Sequence, residues 1–164
     1  MPHIHNGEGE HDLTASAFII REMHGQFVVL MHKHKKIDRI MQPGGHVELT
    51  ENPYQAVLRE VEEETGYLRS QLHPMERSVR TGSFGFITTN DPQPFYVNTQ
   101  QIQDDPVHFH TDLSYVFFVT EEPKATPLEG ESTEFYWLEE SQIPWDERIP
   151  RNVRKIACLV FEMV

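Results

Sequence analysis

The order of apolar and polar positions predicts a sheet of several strands and two helices. Two apolar, β-branched runs at residues 13–21 and 27–32 are separated by His24-Gly25-Gln26, a pattern that predicts a β-hairpin. Further strand-like segments lie between turn sequences, at residues 40–41, 78–88, 95–101, 107–120 and 134–138. Strands mixed with two substantial helices favour an α+β fold, in which helices cover the faces of a mixed sheet.

Both predicted helices carry recognisable boundary signals or periodicity. Asn52 is a preferred N-cap, Pro53 suits the first helical position, and Gln55 can complete a capping box. Gly66 predicts the left-handed residue at which this first helix ends. The second helix is predicted over residues 151–164, where the apolar positions form one stripe that can pack on the sheet.

Length and composition indicate one globular domain. The chain has 164 residues, of which 38% are hydrophobic and 24% are charged, and neither an internal repeat nor a long linker divides it. Residues 1–12 are rich in Gly, Glu and His and are expected to form a flexible arm, so that the domain covers residues 13–164. Cys158 is the single cysteine, which excludes an internal disulfide and is typical of a reducing compartment.

The charge balance restricts the class of partner. The net charge is −12, from 14 Lys and Arg against 26 Asp and Glu. Because so acidic a surface repels a phosphate backbone, no nucleic-acid duplex is expected as a partner, although a small anion neutralised by divalent cations remains possible. No apolar run approaches the roughly 20 residues of a membrane span, and the polar N-terminus lacks the apolar core of a signal peptide. We therefore expect a cytoplasmic protein with no membrane partner.

Three glutamates crowd one face of the first predicted helix. Glu60, Glu63 and Glu64 lie within roughly a quarter turn of one another, and the helix offers only Arg59 as a basic residue. Like charges at these spacings destabilise a helix, so we expect a cation to bind here. Carboxylate oxygens select Mg²⁺, Mn²⁺ or Ca²⁺ over zinc, and such an ion could neutralise a diphosphate. The alternative is a solvated acidic helix face.

The spacing around this cluster resembles the Nudix box. Gly45 is followed after five residues by Glu51, and after seven more by the run from Arg59 to Gly66, REVEEETG. The last position of the signature is usually aliphatic, whereas Tyr67 stands here, which affects packing more than chemistry. The resemblance extends over residues 13–142 and implies a Nudix-type α/β/α sandwich with a mixed β-sheet.

The same resemblance implies an activity and a cofactor. Nudix hydrolases cleave the diphosphate bond of a nucleoside diphosphate linked to another moiety, and they depend on Mg²⁺ or Mn²⁺. The implied catalytic residues are Arg59, Glu60, Glu63 and Glu64, and Glu60 is also a candidate for the general base. The implied metal ligands are the three glutamates, the carbonyl of Gly44 and a later glutamate, for which Glu129 and Glu131 are the candidates. Glu51 is expected to orient Arg59, and Gly45 and Gly66 to shape the backbone.

Two polar clusters outside the box are candidates for substrate binding. His108, His110 and Asp112 alternate along a predicted strand and therefore share one face, where they could bind a second metal, a phosphate or a base. The alternative is a polar strand face with ordinary hydrogen bonds. Lys35 belongs to a short basic cluster that could steer a phosphate, or could be a solvated strand end.

The same residues bear on two other functions found in the superfamily. A non-catalytic domain that senses a nucleotide or nucleotide sugar is the alternative function, but degenerate sensors tend to lose the carboxylates that are intact here. Isomerase members need a catalytic cysteine, and no motif accompanies Cys158. The residues select no particular substrate, no number of metal ions and no oligomeric state, although homodimers are common in the family.

Overall fold

The computed structural model of the protein describes residues 7–76, 90–103 and 106–164. Within them, the strands are β1 (His11–Met23), β2 (Gln26–His34), β3 (Arg39–Met41), β4 (Gly44–His46), β5 (His73–Pro74), β6 (Tyr96–Ile102), β7 (His108–Phe118) and β8 (Phe135–Glu139). The helices are α1 (Pro53–Thr65) and α2 (Arg151–Phe161), with short 3₁₀ helices at Arg69–Gln71 and Ile143–Trp145. Neither α1 nor α2 is long and apolar enough to cross a membrane.

Strand β1 is the centre of a mixed sheet. Its C-terminal half pairs antiparallel with β2, its N-terminal half pairs antiparallel with β4, and its other edge runs parallel to β7. Strands β3 and β8 extend the sheet from β2, while β5 and β6 extend it from β7. One long strand thereby holds β4 and β7 in fixed register on its two edges.

The two faces of the sheet bury separate apolar cores. Phe18 and Ile20 of β1 point to the face covered by α2, where they pack in one cluster with Val153 and Ile156. Ala15, Ala17 and Ile19 point to the opposite face and pack with Val57 and Val61 of α1. Because both faces are covered, β1 is apolar at consecutive positions rather than alternating. The predicted α/β/α sandwich with a mixed β-sheet is confirmed.

Most predicted elements are present, with shifted ends. The hairpin is β1–β2, and the strands expected near residues 40–41, 95–101, 107–120 and 134–138 are β3, β6, β7 and β8. The strand expected at residues 78–88 lies outside the described residues. Helix α2 ends at Phe161, three residues before its predicted end.

The N-terminal segment joins the sheet earlier than expected. Strand β1 begins at His11, and Asp12 is only 1% exposed, so these two residues belong to the sheet rather than to an arm. The Gly9 N–H donates to the Val107 carbonyl, so the attachment to the sheet extends back to Gly9. Residues 1–6 of the expected arm lie outside the described residues.

Helix α1 begins and ends as its caps predict. The Asn52 side chain accepts from the Gln55 N–H and the Gln55 side chain accepts from the Asn52 N–H, which completes the capping box. Gly66 adopts φ 76° and donates its N–H to the Glu62 carbonyl. A Cβ at Gly66 would lie 2.1 Å from the Ala125 carbonyl oxygen, so this position needs glycine both for its backbone angle and for space.

Gly66→Ala should destabilise the protein more than Gly25→Ala. Gly25 has nearly the same backbone angle, φ 80°, but a Cβ there would meet no atom within 4 Å. Gly25→Ala should therefore cost only the left-handed backbone, about 1 kcal/mol, whereas Gly66→Ala adds a collision and should cost at least about twice that. Urea unfolding of both variants measures the difference. An equal decrease in the free energy of unfolding of the two variants would show that the segment around Ala125 can move away from a Cβ at position 66 at no cost.

Candidate active site

Helix α1 and strand β4 enclose a pair of buried carboxyl groups. Glu60 and Glu64 are 6% and 7% exposed, although both are charged residue types. The Gly44 N–H donates to Glu64 Oε2 at 2.8 Å. A Cβ at Gly45 would lie 2.4 Å from Glu60 Oε1, so a side chain at position 45 would have no room beside the Glu60 carboxyl group. Gly45 therefore lets β4 approach the Glu60 carboxyl group, whereas a Cβ at Gly44 would meet Ala15 and Ser16 of β1.

Burial shifts the pKa of both carboxyl groups upward. Desolvation raises the pKa of Glu60, and hydrogen bonding from Arg59 offsets this only in part. Desolvation raises the pKa of Glu64 to about 8, against the opposing hydrogen bond from Gly44, and the charges of Glu60, Glu131 and Glu63 add to the rise. Glu64 therefore favours its neutral form at neutral pH until a positive charge compensates it, and burial also makes Glu60 harder to ionise than an exposed glutamate.

Arg59 joins the acidic residues of the box to one another. Its guanidinium makes a two-pronged contact with Glu51, from Nε to Oε2 at 3.1 Å and from Nη2 to Oε1 at 2.7 Å. Nη1 donates to Glu60 Oε1 at 2.8 Å and to Glu63 Oε2 at 3.2 Å. Nη2 also donates to the His46 carbonyl at 3.1 Å, which attaches the helix to β4.

The ion pair with Arg59 changes the electrostatics of Glu51. Burial alone would raise the pKa of Glu51, but hydrogen bonds from Arg59 and from the Glu48 N–H lower it below its ordinary value. The hydrogen bond to Glu51 raises the pKa of Arg59, so the pair is fully ionised. Glu51 thus acts on the orientation of Arg59, which is consistent with the predicted pairing.

A buried histidine faces Glu64 from the sheet. His32 is 2% exposed, and its Nε2 lies 3.7 Å from Glu64 Oε2. Within the described part of the chain, neither ring nitrogen has a hydrogen-bond partner. Burial, together with the charge of His34, lowers the pKa of His32 to about 4, so this ring is neutral beside Glu64 and does not compensate its charge. Sequence reasoning missed His32, since nothing in its local pattern indicates which residue lies across the sheet.

The loop between β7 and β8 distinguishes the two later glutamates. The Ala125 N–H donates to the Gly66 carbonyl and the Leu128 N–H donates to the Glu63 carbonyl, so the loop is fastened to the end of α1. Glu131 follows this contact and lies near enough to Glu64 to raise its pKa, whereas Glu129 is exposed. Of the two candidates that the sequence left open, Glu131 is therefore the one whose charge acts on Glu64. Lys35 Nζ donates to the Gly130 carbonyl, so it lies against this loop.

The three polar residues predicted to share one face of β7, His108, His110 and Asp112, lie in two different environments. Asp112 accepts hydrogen bonds from the hydroxyls of Thr14, Ser16 and Ser114 at 2.9, 2.7 and 2.7 Å, so its carboxylate is satisfied within the sheet. His108 is buried and its Nδ1 lies 3.1 Å from the Pro106 carbonyl. For these two residues, the ordinary hydrogen-bonded strand face is the better interpretation.

His110 instead lies in a cluster that the sequence did not reveal. Its Nε2 is 3.4 Å from His46 Nε2, and His46 Nε2 is 3.5 Å from Asp12 Oδ2. His46 comes from β4 and Asp12 from β1, so three strands supply one side chain each. The signal that could have found them is the parallel register of β1 and β7, which places Asp12 opposite His110.

Comparison with known proteins identifies the family of this architecture. The NUDIX domain family model matches residues 10–158. No curated protein matches the sequence significantly. The structure is similar to that of a NUDIX family hydrolase from Clostridium perfringens, with TM-score 0.71 and 22% identity over 92% of this chain and 96% of that one.

Two further solved structures share the fold at lower identity. A C. elegans Ap4A hydrolase in a binary complex matches with TM-score 0.63 and 17% identity, over 92% of this chain and 98% of that one. The NUDIX domain of Shewanella oneidensis NrtR, complexed with ADP ribose, matches with TM-score 0.60 and 12% identity, over 96% and 89% of the two chains. With the family model spanning nearly the whole chain, the protein belongs to the NUDIX family.

Proposed function

We propose that the protein hydrolyses the diphosphate bond of a nucleoside diphosphate linked to another moiety, with Mg²⁺ or Mn²⁺ as cofactor. The products would be a nucleoside monophosphate and the phosphorylated moiety. The observation that carries the proposal is the burial of Glu60 and Glu64 against the Gly44-Gly45 turn, with both pKa values raised. Such carboxyl groups hold a proton or a cation, and a cation suits a diphosphate substrate.

The donors of this site fit a hard divalent cation. Glu60, Glu63 and Glu64 would hold Mg²⁺ or Mn²⁺ through carboxylate oxygens, with Gly44 supplying its carbonyl and Glu131 a further oxygen. Oxygen-only donors select these ions over zinc. When bound, the cation supplies charge neutralisation of the diphosphate and a lowered pKa for the attacking water.

The residues around the reacting groups have separate roles in this proposal. Glu60 accepts the proton of the attacking water, and the burial that raises its pKa makes it a stronger base than an ordinary carboxylate. Arg59 donates to Oε1 of Glu60, so the proton would go to Oε2. Glu51 is a positioning residue, because it acts only through the orientation of Arg59.

A nucleotide substrate is supported by the ligands of structural relatives. The C. elegans structure is that of an Ap4A hydrolase, and the Shewanella domain was solved with ADP ribose. Ap4A and ADP ribose both contain a nucleoside joined to another group through a chain of two or more phosphates. Lys35, beside the loop of Glu131, is the side chain we propose to contact a phosphate. His110 remains a candidate for contact with the substrate.

A substrate panel tests the activity directly. The purified protein would be incubated with Mg²⁺ and with nucleoside triphosphates, nucleotide sugars, dinucleoside polyphosphates and ADP ribose, and the products would be separated by anion-exchange chromatography. We expect a nucleoside monophosphate from at least one compound. Tight binding of a compound that is never cleaved would contradict the proposal and indicate the alternative function, a nucleotide sensor.

Glu63→Gln should abolish hydrolysis while the fold stays intact. The amide keeps the size of the side chain and can still accept from Arg59, but it loses the negative charge, so we expect kcat to fall by about 100-fold or more. Glu62→Gln is the matched control, because Glu62 is the neighbouring glutamate on the exposed side of α1 and should keep full activity. Steady-state kinetics on a verified substrate measures both. Normal turnover by Glu63→Gln would refute its role as a ligand.

The metal-free protein should lose stability as the pH rises from 6.5 to 8. The folded state keeps the proton of Glu64 up to a pKa of about 8, whereas the unfolded state releases it near 4.5, so the unfolded state binds fewer protons in this window. His32, whose pKa is lowered from 6.5 to about 4, is neutral in the folded state throughout this window. In the unfolded state it is half protonated at pH 6.5, so it opposes the loss of stability at the lower end of the window and adds little toward pH 8.

Urea unfolding in the presence of EDTA measures this slope. Glu64→Gln cannot ionise and should be flatter with pH than the wild type, while Glu62→Gln should keep the wild-type slope. Added Mg²⁺ should stabilise the wild type increasingly toward pH 8, because the cation competes with the proton for Glu64. Identical slopes for wild type and Glu64→Gln would show that Glu64 is ionised without a cation.

A further inference from the structure

We propose that Asp12, His46 and His110 form a second metal site, here called the His₂Asp site, for a cation of the Zn²⁺ class. This site is separate from the carboxylate cluster of α1 and does not depend on the proposed hydrolase mechanism. The three ligand atoms lie within 4.8 Å of one another, one from each side chain.

The distances suit metal coordination better than direct hydrogen bonding. The Nε2 atoms of His46 and His110 are 3.4 Å apart, and His46 Nε2 is 3.5 Å from Asp12 Oδ2. Hydrogen bonds from imidazole are shorter, at about 2.7–3.2 Å. A tetrahedral ion about 2.0–2.1 Å from each donor spaces the donors about 3.3–3.4 Å apart. The two separations that involve His46 are therefore close to those that one tetrahedral ion would impose, and the third pair of donors lies within 4.8 Å.

The sheet holds these side chains in place. Asp12 is opposite His110 in the parallel pairing of β1 with β7, and His46 is opposite Thr14 in the antiparallel pairing of β1 with β4. The Asp12 side chain is 2% exposed and that of His46 is 14% exposed. Ligands carried by paired strands move little, so the site is preorganised rather than assembled from loops.

Among the described residues, the ligand group has three members. Asp112 is occupied by the hydroxyls of Thr14 and Ser16, and the ring of His108 lies against that of His110 with centroids 5.1 Å apart. The rings of His46 and His110 are nearly perpendicular, at 84°, with centroids 4.8 Å apart. Two rings at this angle can direct their Nε2 atoms toward one point between them.

The donor set selects a different metal from the one proposed for α1. Two imidazole nitrogens and one carboxylate oxygen suit Zn²⁺, and also Co²⁺, whereas Mg²⁺ prefers oxygen alone. Three protein ligands leave the fourth tetrahedral position for water or another small donor. Because Arg59 Nη2 donates to the His46 carbonyl, an ion bound by the His46 side chain would also steady the strand that carries Gly44 and Gly45.

Metal titration of the full-length, metal-free protein tests the site. We expect one equivalent of Zn²⁺ to bind in calorimetry in the presence of excess Mg²⁺, which occupies oxygen-only sites. Co²⁺ should give the intense visible absorption of a tetrahedral complex. The Zn²⁺ affinity should fall by about 100-fold or more in Asp12→Asn and in His110→Gln, because each removes one ligand. His73→Gln, which changes an exposed histidine of β5, should bind Zn²⁺ like the wild type.

Controls distinguish the loss of a metal ligand from unfolding of the variant. They also keep the test of this site independent of the hydrolase proposal. His110 is only partly buried, so His110→Gln should unfold in urea like the wild type without metal, and Zn²⁺ should raise the Tm of the wild type alone. Glu63→Gln, which disables the proposed hydrolase site, should bind Zn²⁺ normally. Unchanged Zn²⁺ affinity in His110→Gln, or a weak octahedral Co²⁺ spectrum, would overturn the site and leave a hydrogen-bonded histidine pair.

Discussion

The close approach of strand β4 to helix α1 is the constraint on which the site depends. The Gly45 backbone lies so close to the Glu60 carboxyl group that any side chain at position 45 would collide with it. The Gly44 N–H donates a hydrogen bond to Glu64. Removing two carboxyl groups from water costs free energy that the hydrogen bonds from Gly44 to Glu64 and from Arg59 to Glu60 recover only in part, which is why both pKa values rise. The capping box of α1 and the fixed end at Gly66 keep the helix in this unfavourable contact.

Arg59 neutralises only part of the acidic cluster. It contacts the carboxylates of Glu51, Glu60 and Glu63, but the strongest pair is the fork with Glu51, whose pKa it lowers. Glu64 faces a neutral His32 instead of a cation. The protein thus supplies one guanidinium where several carboxylates converge, and the remaining charge is concentrated on the side of α1 that faces β4. This imbalance is the physical basis for proposing a divalent cation.

What the sequence predicted well was local. The capping box at Asn52, the left-handed Gly66 and the spacing of the glutamates are each encoded within a few residues, and the structure has the helix that they predict. What it predicted poorly depends on register across the sheet. Asp12 was predicted to belong to an arm, although it is a buried residue of β1. The pairing of β1 with β7 places His110 opposite Asp12 and brings Asp112 within hydrogen-bond distance of the hydroxyl groups of Thr14 and Ser16. No periodicity along one strand contains that information.

Strand β4 connects the two proposed sites because its three residues serve both. The backbone of Gly44 and Gly45 packs against the carboxyl groups of α1, while the next side chain, His46, points to the cluster with Asp12 and His110. Ligand chemistry keeps the sites distinct, since one offers oxygen donors alone and the other offers two imidazole nitrogens. A shift of β4 would disturb both sets of donors at once. The short strand therefore has to be held from both sides, by Arg59 through the His46 carbonyl and by β1 through its register.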